Sequence, residues 1–163
     1  MPPNSRAKPK ETAPPRRDSC TCGSLRKASR RVSQLYDQAL APMGIKITQY
    51  AILSEVDRGR PEGPVTMREL AAAMIMDRST LGHNLKPLER DDLVTMRLAI
   101  DDRRKRYVEL TVKGKSILQK SRRLWRLAEG RFEKIFGKKS AAELRAVLID
   151  IAGNKELNSL PLR

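Results

Sequence analysis

Apolar residues recur at helical spacing along most of the chain, and this pattern predicts about six helices. A helix places residues three and four positions apart on one face. The stretches with this spacing are residues 20–41, 48–56, 66–74, 77–90, 112–136 and 140–153. Two shorter stretches, 93–96 and 107–110, are apolar and strand-like, and the basic run DDRRKR separates them. The pattern therefore predicts a mainly α fold with one small β-hairpin.

Residues 66–90 have the pattern of two helices joined by a short turn. Thr66 and Glu69 form a capping box for the first helix, and Asp77 can cap the second. The second helix is apolar on one side and polar on the other. The residues predicted on or beside its polar face are Arg78, Ser79, Thr80, Gly82, His83 and Lys86. This arrangement indicates a helix-turn-helix, whose second helix reads bases in the major groove.

The basic hairpin that follows is in the position of a wing. Its predicted contact residues are Asp102, Arg103, Arg104, Lys105 and Arg106. A basic tip of this kind can reach a phosphate backbone or a minor groove. Asp102 precedes Arg104 by two residues, so its carboxylate could hold the guanidinium in one pose. The alternative is a charge run that merely faces solvent.

These elements together resemble the winged helix-turn-helix regulators of the MarR family. The motifs that carry the resemblance are Leu70-Ala71, Asp77, Leu88-Glu89, Leu93-Val94, Asp102-Arg103-Arg104, Leu110-Thr111 and Gly114. With flanking helices counted, the likeness covers roughly residues 22–153. It implies a dimeric transcriptional regulator in which Arg104 enters the minor groove.

Three residues depart from the family pattern. Asp92 stands where Gly is usual, and Asp tolerates a positive φ better than most residues. Ile75 also replaces a common turn Gly, and β-branched residues avoid positive φ, so we expect this turn to be built differently. Pro87 lies inside the second helix and should bend it near its end.

Charge and flanking composition extend this picture. The 163 residues include 34 Lys and Arg against 19 acidic residues, a net charge of +15, which implies a polyanionic partner such as nucleic acid. The chain has no long apolar run and no signal-peptide core, so we expect a cytoplasmic protein with no membrane partner. Residues 1–19 are predicted to be a disordered basic arm.

The remaining boundaries divide the chain by role. We expect an N-terminal dimerisation helix in 20–47, the winged helix-turn-helix DNA-binding module in 48–111, and C-terminal dimerisation helices in 112–163. Ser140 and Glu143 suggest a capping box for the last helix. The leucines at 157, 160 and 162 suggest a tail that packs. The terminal helices are too apolar for one small module to cover, so a homodimer on a near-palindromic duplex is predicted.

The chain offers little for catalysis or metal binding. His83 is the sole histidine, and with Cys20 and Cys22 it gives three soft ligands, short of the four of structural zinc. A zinc site shared across a dimer is the alternative. No carboxylate pair stands in an acid/base pattern. We therefore predict no enzyme, no metal and no cofactor.

Two regulatory inputs are predicted. Residues 112–139 hold 10 basic and 2 acidic residues beside an apolar core that contains Tyr36, Tyr50 and Trp125. In resembling proteins an effector often binds near these helices, so a small anionic aromatic acid or acyl-CoA is expected to release a repressor from DNA. Basic residues that only solvate the helix or touch DNA are the alternative.

A redox input is the second possibility. Cys20 and Cys22 lie at the start of the first helix, where the thiolate is favoured, so peroxide could act on either of them. Small buried cysteines without a function are the alternative. A non-specific architectural DNA-binding protein and a basic membrane-surface protein also remain open.

Overall fold

The helices and strands begin and end close to where the apolar pattern places them. The computed structural model describes residues 20–59, 63–98 and 105–159. Its elements in chain order are α1 Thr21–Leu40, α2 Ile47–Arg58, α3 Met67–Ala73, α4 Arg78–Arg90, β1 Val94–Leu98, β2 Arg106–Leu110, α5 Val112–Phe136 and α6 Lys138–Gly153. Short 3-10 turns cover Ala41–Met43 and Lys155–Asn158. The mainly α fold with a two-stranded hairpin is confirmed.

The chain divides into two units, residues 1–33 and residues 34–163. The described part of the first unit, residues 20–33, is the first portion of α1, and the same helix continues into the second unit. The predicted arm, residues 1–19, lies outside the described residues. The boundaries expected at 47 and 111 stay predictions.

The core of the second unit lies around α2, which packs against α3, α4, α5 and β2. Its fully buried side chains, apart from Ser121 of α5, are aliphatic, and they come from every one of these elements. The largest are Leu40, Ile52, Leu53, Val65, Leu70, Leu81, Leu85, Leu88, Val94, Val108 and Leu118. The helices meet through leucines because each helix has one apolar face, as the sequence pattern predicts.

The two strands form an antiparallel pair in which Val94 lies opposite Leu110 and Leu98 lies opposite Arg106. The chain before α3 extends the pairing on the other edge of β2. The Val108 N–H donates to the Val65 carbonyl at 2.9 Å, and Thr66 forms an isolated bridge with Tyr107. Strand β2 is therefore held on both edges, by β1 and by the chain entering α3.

Residues 75 and 92 both adopt the left-handed conformation. The φ of Ile75 is 51° and that of Asp92 is 55°. The expectation for Asp92 is confirmed, but the expectation that the turn at Ile75 avoids positive φ is wrong. The turn keeps the left-handed geometry because the Met76 N–H donates to the Ala71 carbonyl at 2.9 Å across it. This local backbone hydrogen bond, which closes the end of α3, thus outweighs the preference of a β-branched residue against positive φ.

The start of α6 also differs from the prediction. The helix begins at Lys138, directly after Gly137, whose φ of 86° lets one residue separate α5 from α6. No side chain caps α6, so the capping box expected at Ser140 and Glu143 is wrong. By contrast, a side chain does cap α5, because the Thr111 hydroxyl accepts from the Gly114 N–H at 2.9 Å.

Candidate nucleic-acid interface

The exposed face of α4 begins at its capping residue, Asp77. One carboxylate oxygen of Asp77 accepts from the Thr80 N–H at 2.7 Å and from the Ser79 hydroxyl at 2.6 Å. The other accepts from the Thr80 hydroxyl at 2.6 Å. These bonds, the one from Ser79 first, hold the pKa of the Asp77 carboxyl well below its usual range. The carboxylate is therefore charged at any pH near neutral.

The apolar face and the polar face of α4 lie where the sequence predicts them. Leu81, Leu85 and Leu88 have no exposed surface. The predicted contact residues Arg78, Ser79, Thr80, His83 and Lys86 are exposed, and Gly82 is half-buried beside them. The helix continues through Pro87 to Arg90. The bend expected at Pro87 stays a prediction.

Two predicted contact residues have a second role that the sequence pattern does not reveal. The hydroxyl protons of Ser79 and Thr80 are donated to Asp77. Each hydroxyl oxygen keeps lone pairs that can accept a bond from outside. In this arrangement the two side chains offer acceptors toward a bound partner, whereas Arg78 and Lys86 offer donors.

The wing is described up to the base of its tip. Asp102, Arg103 and Arg104 lie outside the described residues. Lys105 and Arg106, at the start of β2, are exposed. Further down the hairpin, the Arg97 guanidinium makes two hydrogen bonds to the Glu109 carboxylate, at 3.0 and 2.7 Å.

A groove of about 810 Å³ separates the helix-turn-helix from the hairpin. Its walls come from the chain entering α3, from α3, from the first residue of α4 and from β2. Four basic side chains line it, Arg68, Arg78, Lys105 and Arg106, together with Glu69, which is bonded into the capping box with Thr66. Arg68 is not among the contact residues predicted from the sequence, although the spacing of Leu70 and Ala71 places it on the polar side of α3.

A close junction joins the end of α4 to the start of α5. The Lys113 ammonium donates to the Asp91 carbonyl and the Thr111 hydroxyl donates to the Asp92 carbonyl, each at 2.7 Å. A Cβ at Gly114 would lie 1.9 Å from the Leu93 carbonyl oxygen. Residue 114 must therefore be glycine for α5 to approach this closely. Glycine is required here because no space is left for a Cβ, and not because of its backbone dihedral angles.

The three predicted effector residues come together although they are far apart in the sequence. The ring centroids of Tyr50 and Trp125 are 6.2 Å apart and nearly parallel, and those of Tyr36 and Trp125 are 6.3 Å apart. Tyr36 is buried, and the other two are half-buried. Three rings from α1, α2 and α5 therefore form one aromatic cluster.

Carboxylates adjoin this aromatic cluster. The Tyr36 hydroxyl donates to Glu129, which also accepts from Arg145 of α6, and Arg145 reaches Glu133 at 3.3 Å. Burial, and then the hydrogen bond to Glu129, raises the pKa of the Tyr36 phenol. The phenol therefore stays a neutral donor, and it ties α1 to α5 and α6.

The two cysteines lie in the first unit and are both exposed. Cys20 immediately precedes α1, and the Gly23 N–H donates to its sulfur at 3.4 Å. The Ser24 N–H donates to the Cys20 carbonyl at 3.0 Å. Cys20 is therefore the capping residue of α1, and the alternative of two buried cysteines is wrong for this chain.

The described residues contain neither a metal cluster nor a membrane span. Among them, no three His, Cys, Asp or Glu side chains are grouped so that they could hold a metal ion. No helix within the same residues combines the length and apolar character that crossing a bilayer requires.

Comparison with known proteins identifies the family. Residues 43–105 match the model of the MarR family. The M. tuberculosis transcriptional regulator MosR, solved in complex with DNA, is 32% identical, with a TM-score of 0.76 over 88% of this chain and 99% of MosR. The chain therefore belongs to the MarR family of transcriptional regulators, whose members bind DNA and are not enzymes.

Two further proteins resemble this chain. The HTH-type transcriptional regulator SarZ of Staphylococcus saprophyticus is 31% identical over 90 residues, which are 55% of this chain and 60% of SarZ. CouR of Rhodococcus jostii RHA1, solved with p-coumaroyl-CoA, is 22% identical with a TM-score of 0.70 over 85% of this chain and 95% of CouR. At that identity the likeness to CouR shows the fold alone.

Proposed function

We propose that this chain is a sequence-specific regulator of transcription that binds duplex DNA as a homodimer. The carrying observation is the exposed face of α4 beside a basic groove, both built on a buried leucine core. A helix presented in this way fits the major groove, which is wide enough to admit it and carries a distinct pattern for each base pair. MosR, 32% identical over nearly its whole length, was solved on DNA, which supports the same partner here.

Each part of the surface has its own role in this proposal. His83 and Lys86 on α4 read base edges, and Arg104 at the wing tip enters the minor groove. Arg68, Arg106 and the other cations of the groove contact phosphates and set the position of the module. The protein acts in the cytoplasm, where it meets its operator.

The apolar surface of the terminal helices supports the homodimer. Of the sixteen residues of α6, all of them described, Ala141 is the one that is buried. Large apolar side chains stay exposed on the end of α5, on α6 and beyond: Ile135, Phe136, Leu144, Val147, Leu148, Ile149, Ile151 and Leu157. Leu157 of the tail is exposed within one chain, and Leu160 and Leu162 lie outside the described residues, so the packing of the tail stays a prediction. A second copy would cover this surface, since patches of this kind mark interfaces.

Selection of bound sites from random duplexes tests the DNA-binding proposal. Recovery of a near-palindrome supports it, and a specific-to-non-specific affinity ratio near one would support the architectural alternative instead.

On the selected site, His83→Ala and Lys86→Ala should each relax base choice by about 1–3 kcal/mol. Arg104→Ala should weaken the preference for A·T at the flanks, because a narrow groove attracts a guanidinium. If each variant loses the same affinity on every DNA sequence, all three residues contact phosphates and do not read bases.

We further propose that the regulator is a repressor released by a small ligand at the aromatic cluster Tyr36, Tyr50 and Trp125. Stacked rings suit an aromatic acid or its CoA thioester, and Arg126 of α5 supplies positive charge next to Trp125 in the sequence. Arg122 is already paired with Asp57 at 2.7 Å. Glu129 and Glu133 would oppose an anion placed against α6. Thermal-shift screening of aromatic carboxylates and acyl-CoA compounds tests this proposal. A compound that stabilises the protein supports it when the same compound also releases the protein from DNA.

A redox input is the second candidate, and the cap at Cys20 favours it. Its exposed sulfur accepts a backbone N–H of α1, so oxidation would remove a hydrogen bond at the start of that helix. A sulfenic acid, or a bond to the partner chain, suits the i, i+2 spacing better than a strained internal disulfide. One equivalent of cumene hydroperoxide should lower operator affinity in the wild type and leave the Cys20→Ser, Cys22→Ser double variant unchanged. Unchanged affinity in the wild type removes this candidate.

A further inference from the structure

The solvent-facing side of the hairpin carries a network built around Arg97 and Glu109, neither of which is among the proposed DNA contacts. Arg97 of β1 lies opposite Tyr107 of β2, and Glu109 lies two residues further along the same face. The guanidinium uses its Nε and Nη2 donors on the two oxygens of Glu109, at 3.0 and 2.7 Å. Its carbon also lies 5.4 Å from the centre of the Tyr107 ring. One arginine thus joins both strands by a fork and by a cation–π contact.

The electrostatics agree with the geometry. The hydrogen bond from Arg97 is the largest cause that lowers the pKa of the Glu109 carboxyl, and the same bond raises the pKa of Arg97. The pair remains ionised across the physiological range. An arginine whose fork is already filled by a carboxylate has fewer donors left for a phosphate.

The network lies where it can set the direction of the wing. Tyr107 lines the basic groove and forms the bridge to Thr66, at the start of α3. Lys105 and Arg106 precede it directly, and they lead into the wing tip. A change in the pairing of β1 with β2 at this point would move these cations relative to α4.

We propose that Arg97 and Glu109 are positioning residues of the wing, which determine DNA affinity through Tyr107 and β2 without contacting DNA themselves. The inference rests on the proposed function, since the affinity in question is that for the operator. In this proposal an acidic side chain, that of Glu109, increases DNA affinity although it lies close to a surface proposed to bind a polyanion. A carboxylate close to DNA is otherwise expected to weaken binding.

The direction in which one substitution changes operator affinity tests the proposal. Glu109→Gln removes a negative charge, so electrostatics alone would raise operator affinity. The positioning role predicts a fall of about two- to fivefold, the range that the loss of an exposed ion pair allows. Glu89→Gln is the matched control, because Glu89 is an exposed acid at the end of α4 and undergoes the same change of charge. Affinity that rises in Glu109→Gln as it does in Glu89→Gln overturns the proposal.

A double-mutant cycle separates positioning from direct contact. Arg97→Gln should lower affinity in the wild-type background and have little further effect in the Glu109→Gln background. The slope of log affinity against log salt should stay unchanged. If Arg97 contacts a phosphate, the loss is equal in both backgrounds and the slope falls by about 0.9. Arg97→Lys keeps the charge without the fork, so it should behave like Arg97→Gln, and full wild-type affinity in Arg97→Lys contradicts the proposal.

Hydrogen exchange of the free protein provides a readout that does not depend on DNA. The amides of Arg106–Leu110 should exchange faster in Arg97→Lys and Glu109→Gln, while those of α4 keep their protection. Unchanged exchange in β2 removes the positioning role. If the wild type binds no duplex with sequence preference, the proposed function fails, and the exchange experiment still decides whether the network orders the hairpin.

Discussion

The α4 region and the α6 region treat their apolar residues in opposite ways. In α4, three leucines have no exposed surface, and side chains or backbone groups hold both ends of the helix. In α6, Val147 and Ile149 are 54% and 69% exposed, and no side chain caps the first turn. The difference teaches that one chain suffices to bury the apolar face of α4, the helix proposed to read DNA, whereas the apolar side chains of α6 stay exposed, as the proposed homodimer requires.

The largest expected effect comes from truncating one leucine of α4 and one valine of α6. Leu85→Ala should lower the free energy of unfolding by about 2–5 kcal/mol and leave subunit association unchanged, because the cavity lies inside one chain. Val147→Ala should change unfolding of a single chain by less than about 0.5 kcal/mol and weaken association instead. Chemical denaturation and sedimentation equilibrium measure the two quantities. Equal effects of both variants on association would remove the contrast between the regions.

The junction between the end of α4 and the start of α5 should tolerate no side chain at residue 114. Gly114→Ala places a carbon against the Leu93 carbonyl and should destabilise the protein by about 1–3 kcal/mol or more. Gly130 lies on the same helix, and a Cβ added there would meet no atom within 4 Å, so Gly130→Ala is the matched control. It should stabilise α5 by about 1 kcal/mol, the difference in helix propensity. Thermal unfolding of both variants measures the effects, and similar melting temperatures would contradict the account.

Replacing Ile75, which has a strained backbone in the turn between α3 and α4, should stabilise the protein. Ile75 is 67% exposed at a φ of 51°, so it loses little packing when it is replaced. Ile75→Gly should stabilise the protein by about 0.5–1 kcal/mol, the strain relieved less the entropy that glycine adds to the unfolded chain. Asp92→Gly is the control, since Asp tolerates the same region, and its effect should be near zero. Denaturation midpoints compare the two, and a destabilised Ile75→Gly would show that the exposed side chain packs after all.

The smallest effect concerns the cap of α4 and its pH dependence. The folded pKa of Asp77 lies below the unfolded value near 4, so the cap contributes stability above about pH 5 and loses it as the pH falls further. Asp77→Ser keeps a capping oxygen without a titrating group. Unfolding of the wild type should therefore become easier relative to Asp77→Ser as the pH drops from about 5 to about 2. Parallel curves for the two proteins over this range would show that Asp77 makes no such contribution.

The sequence predicts most of the fold because its signals are local. The capping residues Thr66, Asp77 and Thr111 each act within three positions, and the leucines of α4 repeat within one helix. The contacts that it could not predict join distant residues, such as Arg97 with Glu109 and Tyr36 with Glu129. Gly137 ends α5 and opens α6 in one step, which a search for capping boxes overlooks. At Ile75, a bond across the turn decides the conformation against the preference of the side chain.

The candidate site was predicted in part for the same reason. The polar face of α4 follows from the spacing of Leu81, Leu85 and Leu88 along one helix. The groove that contains Arg68 and Arg106 forms where α3 and β2 meet, and nothing in the sequence pairs these two residues. The aromatic residues Tyr36, Tyr50 and Trp125 could be named as candidates, but the stacking of Tyr50 on Trp125 appears once α2 and α5 pack.

Operator affinity as a function of half-site spacing tests the central claim most directly. In the proposed complex, the two α4 helices of the dimer lie on one face of the duplex, about one turn or roughly 34 Å apart. Inserting half a helical turn between the half-sites moves one of them to the opposite face, so the dimer can engage a single half-site. Affinity should fall about 100-fold or more, to that of an isolated half-site, while a substituted spacer of the original length keeps it. Unchanged affinity after the insertion would contradict binding by a two-fold dimer.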